Sequence, residues 1–343
     1  MLTFIIRRLL LLPLVFVGVT VAIVLLMQLL TPYQRAAAYV QSEQQIRNID
    51  SIIVQFGLTD PWYKQYSRWI GQVFKGNLGY SRTSREPVLT TLSRRFPVTL
   101  ELAILAIIPV LGVGITMGTA AALNRDKPID QFTRVISVVG WSLPTFVLGI
   151  WLLVIFYGWL GWFQPGRVST ATAISLAGTN SGFVAYTRMM LLDSILNWRW
   201  DVFWDALRHM VLPVVTLSVV QSAQIMRVMR SSLLDALGRD YVRTARAKGL
   251  PERVVTRKHA RRNALIPVIT LSGFVLIGLI NGVVITETIF NYPGLGQWAA
   301  SAAVNLDYAS VLGFAVFTAM MVVLANLLVD ILYGIVDPRI RYE

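Results

Sequence analysis

The chain has 343 residues, of which 55% are hydrophobic and only 14% charged, and its formal net charge is +13. Soluble domains carry about 25% charged residues, so this composition argues against a soluble globular protein. Low charge density also argues against a nucleic-acid-binding surface. The lack of cysteine excludes disulfides and thiol chemistry, and His209 and His259 lie too far apart in sequence to favour a metal site.

Six long apolar stretches predict transmembrane helices, because about 20 mostly apolar residues cross a bilayer as a helix. They are Leu9–Leu30 and, with their flanks, residues about 98–123, 135–160, 209–229, 264–286 and 308–332. The first follows Arg7 and Arg8 and is too long for the apolar part of a signal peptide, so we expect it to be retained. The predicted fold class is an all-α membrane protein with six transmembrane helices.

The first connection, residues 31–96, is long and carries aromatic and aliphatic residues at helical spacing. These residues are Trp62, Tyr66, Trp69, Ile70, Val73 and Phe74. We predict an amphipathic helix that lies at the membrane interface or packs on the bundle. Tryptophans in Leu191–Trp204 favour a second interface helix. The chain then divides into a first helix (1–30), this segment (31–96), a five-helix core (97–338) and a tail (339–343).

Positive charge predicts the orientation, since short loops rich in Lys and Arg remain in the cytoplasm. Residues 227–262 hold eleven Lys and Arg against three acidic residues, whereas residues 287–307 hold no Lys or Arg. Both termini are therefore predicted to be cytoplasmic. The first connection carries nine basic residues but is long enough to escape the rule, and the third connection, with four, is a mild exception.

The basic connection, residues about 231–262, reads as two short helices. Asp240 is a suitable N-cap, Tyr241–Lys248 favours helix and Gly249 favours a left-handed stop. Pro251 suits the first turn of the next helix. Small Ala245 and Ala247 would leave the first helix thin enough to enter a groove on a partner. From the residues alone, a solvated loop that only fixes topology remains an equal alternative.

The stretch from Asp240 to Leu250, Asp-Tyr-Val-Arg-Thr-Ala-Arg-Ala-Lys-Gly-Leu, resembles the ATPase-coupling loop of binding-protein-dependent ABC importer permeases. The general form has a Glu-Ala-Ala triplet six residues before a glycine. Here Arg243, Thr244, Ala245 and Gly249 stand at those positions, and only Ala245 and Gly249 match. The complete sequence of this stretch resembles the dipeptide/oligopeptide/nickel subfamily. So does the later segment Lys258-His-Ala-Arg-Arg-Asn-Ala-Leu-Ile-Pro267.

Other short motifs extend this resemblance over nearly the whole chain, in the order typical of the first-permease type. They are Phe4–Leu9, Gly57–Pro61, Gly76–Ser81, Pro97–Ala103, Ser142–Phe146, Glu287–Gln297 and Asp337–Tyr342. One departure is Thr31-Pro-Tyr-Gln-Arg35, where the family often has Pro-Gly-Asp-Pro, and we expect only a local difference there. The resemblance implies the type I ABC importer (MetI-like) permease fold.

It also implies function and partners. The chain would be the permease subunit of an importer of peptides, with nickel, haem or oligosaccharide as open alternatives. Partners would be a second homologous permease, two ATP-binding subunits, an external substrate-binding protein and membrane lipid, with no nucleic acid. The chain lacks a Gly-x-x-x-x-Gly-Lys-Ser/Thr loop, so it is not itself expected to be an enzyme or to hold a cofactor; ATP and magnesium would be bound by partners. The coupling residues implied are Asp240, Tyr241, Arg243, Thr244, Ala245, Arg246, Ala247, Lys248, Gly249 and Leu250.

Polar residues within spans are costly and suggest function. Candidates for the translocation path are Glu101, Asn281, Glu287, Asp307 and Asp330. Anchoring or an interhelical pair is the main alternative for Glu101 and Asp330, which we expect near span ends. Gly114-x-x-x-Gly118 and Gly278-x-x-x-Gly282 have the spacing for close helix approach.

Two other classes of protein remain. A stand-alone secondary transporter predicts inverted repeats and ionisable pairs at mid-membrane, which the sequence does not show convincingly. A membrane scaffold predicts that the basic connection is a lipid-binding patch.

Overall fold

The computed structural model describes residues 2–40, 43–178, 182–280 and 283–336. Its α-helices, in chain order, are α1 (Leu2–Met27), α2 (Pro32–Ala36), α3 (Glu43–Ile46), α4 (Ile49–Gln55), α5 (Trp62–Phe74), α6 (Val88–Leu123), α7 (Pro128–Ser142), α8 (Thr145–Leu153), α9 (Thr170–Ala177), α10 (Met190–Leu196), α11 (Trp200–Leu237), α12 (Asp240–Ala247), α13 (Glu252–Val254), α14 (Arg261–Ile280), α15 (Val284–Ile289), α16 (Leu295–Val304) and α17 (Tyr308–Val336). A 3₁₀ turn spans Ala37–Tyr39, and π-helical stretches span Val154–Trp159 and Val255–Ala260. The antiparallel strands β1 (Tyr80–Ser81) and β2 (Glu86–Pro87) form a small hairpin that the all-α prediction did not include.

Within the described residues, four helices are long and apolar enough to cross a membrane. They are α6, α11, the continuous helix Glu252–Ile280 and α17. A fifth span results if α7 and the helix that follows it count as one bent element. Within α1, the apolar helix Pro13–Met27 is shorter. The helical membrane architecture is thus confirmed, and the count of six spans stays a prediction.

The centre of the bundle is the pair α6 and α11, which pack along much of their length. A Cβ at Gly114 would lie 2.5 Å from Ile225 Cγ2, and one at Gly118 would lie 2.7 Å from the carbonyl oxygen of Met226. The predicted close approach at this glycine pair is therefore present. At Gly278, by contrast, a Cβ would have no described atom outside its own helix within 4 Å.

The predicted span 135–160 implied one straight helix for the third apolar stretch, but the structure bends there. Helix α7 and the helical segment Thr145–Trp159, which contains α8, are bent by 97° relative to each other. Leu143 adopts an extended conformation, with φ −79° and ψ 121°. The cause is Pro144, because the ring of a proline disfavours the helical conformation of the residue before it. The sequence carried this signal in Ser142-Leu-Pro-Thr-Phe146.

Other boundaries also differ from the expected ones. Helix α6 begins at Val88, about ten residues before the predicted span, so Glu101 lies inside the helix although it is close to the start of that span. The segment 191–204 is not a single interface helix, because α10 ends at Leu196 and Trp198 has a positive φ of 56° before α11 begins. The helix of the fifth span is described as far as Ile280, and Val283, with φ −91° and ψ 67°, is no longer helical, so the helix stops before the predicted residue 286 and the short α15 follows.

The amphipathic helix of the first connection is confirmed as α5. Its inward face packs on the bundle through Trp69, which is buried with Val24 and Met27 of α1 and Val316 of α17. Phe74 at its end is exposed. Of the two placements predicted for this helix, the inward face of α5 shows packing on the bundle.

Candidate functional site

Helix α12 occupies the basic connection between α11 and the helix of the fifth span. Its N-cap is Arg239, whose carbonyl oxygen accepts hydrogen bonds from Val242 N (3.0 Å) and Arg243 N (3.3 Å). The prediction that Asp240 is the N-cap was wrong by one position. Asp240 instead opens the first turn, where a carboxylate suits the positive end of the helix.

The two faces of α12 have different roles. Val242 and Ala245 are buried and belong to the same core cluster as Leu233 of α11 and Val255 and Ala260 of the π-helical stretch. Ala245 therefore allows α12 to pack closely on the rest of the chain, and of the two small residues only Ala247 is exposed. The remaining coupling candidates are exposed: Asp240, Tyr241, Arg243, Thr244, Arg246, Ala247, Lys248, Gly249 and Leu250.

Gly249 ends α12 in the left-handed conformation, with φ +74°. Its N–H donates to the carbonyl of Arg246 (2.9 Å), and Leu250 N donates to the carbonyl of Ala245 (3.4 Å). No described atom beyond its chain neighbours lies within 4 Å of a Cβ built at this glycine. Glycine is favoured here by its backbone conformation and not by crowding.

An ion pair links α12 to α13 across this turn. Arg246 Nε donates to Glu252 Oε2 (3.0 Å) and Nη2 donates to Oε1 (2.6 Å). Both side chains are largely exposed, so the pair orients the two short helices more than it stabilises the fold.

Glu101 forms a buried cluster between distant parts of the chain. Arg167 Nη2 lies 3.0 Å from its Oε2, and Leu191 N donates to its Oε1 at 2.6 Å. The hydroxyl of Tyr292 donates to Oε2 at 3.5 Å. The carboxylate thus joins α6 to the third connection and to the segment after α15, which fits the interhelical pair that we weighed as an alternative.

Glu287 is fully buried at the start of the fifth connection. Thr99 Oγ1 donates to its Oε1 at 2.7 Å, and Gln297 N donates to its Oε2 at 2.9 Å. Thr99 Oγ1 also accepts from Leu295 N at 2.8 Å. This carboxylate therefore fastens α15 and α16 to α6.

Asp307, also buried, precedes α17 and ties the hairpin to it. Ser81 Oγ (3.0 Å), Thr83 N (2.9 Å) and Ser310 Oγ (2.7 Å) all donate to its Oδ2. None of Glu101, Glu287 and Asp307 faces solvent in this conformation. All three anchor connections at the same side of the bundle to α6 or α17.

Comparison with known proteins decides the family. The family described as binding-protein-dependent transport system inner membrane component matches residues 114–342, and its N-terminal counterpart matches residues 1–103. The chain belongs to this family of transport permeases. The matched region contains the whole of α12 and the helices on either side of it.

Relatives of this permease include transport proteins from several bacteria. It is 39% identical, over all of both chains, to the di/tripeptide transport system permease protein DppB of Pseudomonas aeruginosa. It is 40% identical to the probable D,D-dipeptide transport system permease protein DdpB of Escherichia coli, over 85% of this chain and 84% of that one. The oligopeptide transport system permease protein AppB of Bacillus subtilis is 36% identical over 85% of each chain.

The fold of the permease has a solved counterpart. A chain of the inward-facing MetNI methionine ABC transporter matches with a TM-score of 0.51 and 16% identity, and the match covers 73% of this chain and 97% of that one. The MetI-like fold that we predicted is thereby confirmed.

Two of the predicted path residues cannot be placed. Asn281 lies outside the described residues, and the side chain of Asp330, on α17, is likewise outside them. Gly282 also lies outside, so the second glycine pair remains a prediction.

Sequence reasoning missed an ion pair in the permease that joins α7 to α11. Arg230 Nε and Nη2 donate to Asp130 Oδ1 and Oδ2 at 2.5 and 2.8 Å, and Asp130 is fully buried. The only signal was that each residue stands beside a predicted span end on the same side of the membrane. Arg167 was missed too, because nothing in the sequence relates it to Glu101, 66 residues away.

Proposed function

We propose that this chain is the transmembrane permease subunit of an ATP-driven importer and that α12 docks on an ATP-binding partner subunit. The observation that carries the proposal is the division of α12 into two faces. Val242 and Ala245 fix the helix against the core, while the opposite face presents exposed residues to a partner. A loop that only marked topology would need no such anchored helix.

The position of α12 supports a coupling role. It lies directly between the end of α11 and the start of the continuous helix Glu252–Ile280, which are both long and apolar enough to span a membrane. A displacement of α12 by a partner would therefore move both helices together. ATP binding would favour one arrangement over the other only if the ATP-bound partner bound that arrangement more tightly.

Peptides are the substrate class that we propose. The relatives that span this chain are named for transport of dipeptides, di- and tripeptides and oligopeptides. Nickel, haem and oligosaccharide have no comparable support. Selection would reside mainly in an external substrate-binding protein.

The complete transporter would contain a second homologous permease, two ATP-binding subunits and that binding protein. ATP and magnesium would be bound by the ATP-binding subunits, so this chain would hold neither. The basic connection predicts that α12 faces the cytoplasm and that both termini lie there.

The acidic residues Glu101, Glu287 and Asp307 would hold the outer connections in place. Their oxygens are engaged by the chain's own donors, which favours anchoring over contact with the transported molecule. For Asn281 and Asp330, a place on the path remains our prediction.

Charge reversal on the exposed face of α12 tests the docking. We expect Arg243→Glu with Lys248→Glu to abolish co-purification of the ATP-binding subunits that we expect to be encoded beside this gene. The matched control is Lys258→Glu with Arg262→Glu, an equal change at two exposed positions of the same connection but outside α12. Equal recovery of the ATP-binding subunits with both double variants would refute the docking.

A further inference from the structure

A second feature of the basic connection is a cavity of about 560 Å³ behind α12. Its apolar wall consists of Ala122 and Leu123, at the end of α6, and Leu237, at the end of α11. Thr119 of α6 adds a hydroxyl group. The cavity therefore lies where two of the long apolar helices end and a third begins.

The polar wall carries an excess of positive charge. The lining includes Arg246, Glu252, Arg253, Arg257 and Arg261, together with Thr256. Arg246 and Glu252 neutralise each other through their two hydrogen bonds. The three remaining arginines have no ion pair within the described ranges, and Arg261 Nε is buried without a hydrogen-bond partner there.

Helix geometry places these three arginines together. Arg253, Arg257 and Arg261 are spaced four residues apart, and the π-helical stretch Val255–Ala260 lies between the first and the last. Val255 and Ala260 are fully buried and hold this stretch against the core. Helical turns of the π type are rare overall, but where they occur they often mark functional sites. The π-helical stretch and the three arginines therefore both indicate a functional site at this cavity.

We propose that this cavity binds the phosphate group of an anionic phospholipid. Guanidinium groups match phosphate oxygens in a bidentate geometry, and basic pockets between transmembrane helices are suited to anionic head groups. The apolar wall, including the half-exposed Leu123, would contact the start of the acyl chains. A free phosphate would leave that wall without a partner, so a lipid fits the cavity better.

The bound lipid would fix the segment after α12 to the ends of α6 and α11. This places an anionic lipid next to the coupling helix without covering the exposed face that carries Arg243 and Lys248. The inference therefore stands or falls separately from the docking of an ATP-binding subunit.

Native mass spectrometry of the full-length chain, with added phosphatidylglycerol or phosphatidylcholine, tests the site. Wild type should retain phosphatidylglycerol in preference to phosphatidylcholine, and Arg257→Gln with Arg261→Gln should weaken that retention about thirtyfold, the loss expected for two basic contacts to an anionic lipid. Lys258→Gln with Arg262→Gln removes the same charge from the same segment outside the cavity and should retain the lipid. Circular dichroism confirms that each variant is folded.

Inorganic phosphate separates the two sources of the anion. If the site binds lipid, inorganic phosphate at millimolar concentration should not displace phosphatidylglycerol. Complete displacement would assign the cavity to a free phosphate and overturn the lipid proposal. Equal lipid retention by both double variants would overturn it as well, and if Arg257→Gln with Arg261→Gln then also lost the ATP-binding subunits, the arginines would belong to a protein interface.

Discussion

At the scale of single residues, Gly249 shows how a backbone conformation can serve coupling. We expect Gly249→Val to uncouple ATP hydrolysis from transport. A β-branched residue at φ +74° introduces backbone strain on the order of 1–3 kcal/mol, and a shift of the end of α12 would relieve that strain. Gly249→Asn should behave almost as wild type, since asparagine tolerates the left-handed region.

The measurement is substrate-stimulated ATPase activity and uptake, both in proteoliposomes that contain the assembled transporter. For Gly249→Val we expect uptake per ATP hydrolysed to fall at least tenfold. Because open space surrounds the glycine within this chain, a defect shared by Val and Asn would mean that a side chain of either kind disturbs the docking of the partner and not the backbone of α12. Unchanged stimulation and uptake in Gly249→Val would remove α12 from the coupling role.

The buried carboxylates show what single residues reveal only in three dimensions. The sequence identified Glu101, Glu287 and Asp307 as unusual, because charge in or beside a span is costly. It could not supply their partners, since Thr99 lies 188 residues from Glu287 and Ser81 lies 226 residues from Asp307. Periodicity is a local signal, whereas these hydrogen bonds depend on how the helices pack.

At the scale of elements, the contact of α6 with α11 depends on the absence of a side chain. We expect Gly118→Val to destabilise the protein by about 3 kcal/mol through overpacking, because a Cβ there would lie 2.7 Å from the backbone carbonyl of Met226. Gly112→Val, on the same helix, should have little effect, since that glycine is exposed and no described atom beyond its own helix lies near its Cβ position.

The thermal unfolding midpoint of the detergent-solubilised chain measures this difference. A drop of several degrees is expected for Gly118→Val relative to Gly112→Val. Similar midpoints for the two variants would mean that α6 and α11 can separate at little cost, and the spacing of Gly114 and Gly118 would then have no structural meaning.

Elements were predicted well where one physical signal dominated. Long apolar runs located the spanning helices, and the sequence from Tyr241 to Gly249 located α12 and its left-handed end. The predicted boundaries were wrong where a helix continues from apolar into polar sequence. Helix α6 begins at Val88 and α11 at Trp200, because both helices remain packed on the rest of the protein beyond their apolar segments. The bend before Pro144 could have been predicted, and the π-helical turn at Val255 could not.

At the scale of the whole molecule, the distribution of charge predicts the direction in which the chain crosses the membrane. The chain has no cysteine, so the labelling of a single introduced cysteine shows on which side of the membrane that position lies. We expect Ser51→Cys, Ser175→Cys and Asn305→Cys to react with a membrane-impermeant maleimide in cells whose outer barrier is removed. All three positions are exposed, in the first, third and fifth connections.

Lys258→Cys, exposed in the basic connection, should react only after the membrane is permeabilised. The third connection makes the test demanding, because its four basic residues oppose the placement that six spans require. Labelling of Ser175→Cys from the same side as Lys258→Cys would mean that α11 does not cross the membrane. The comparison for α7 and α8 is Lys127→Cys, exposed directly before α7. Labelling of Ser175→Cys from the same side as Lys127→Cys would mean that α7 and α8 form a re-entrant turn at Pro144, and labelling from opposite sides would establish them as one bent span.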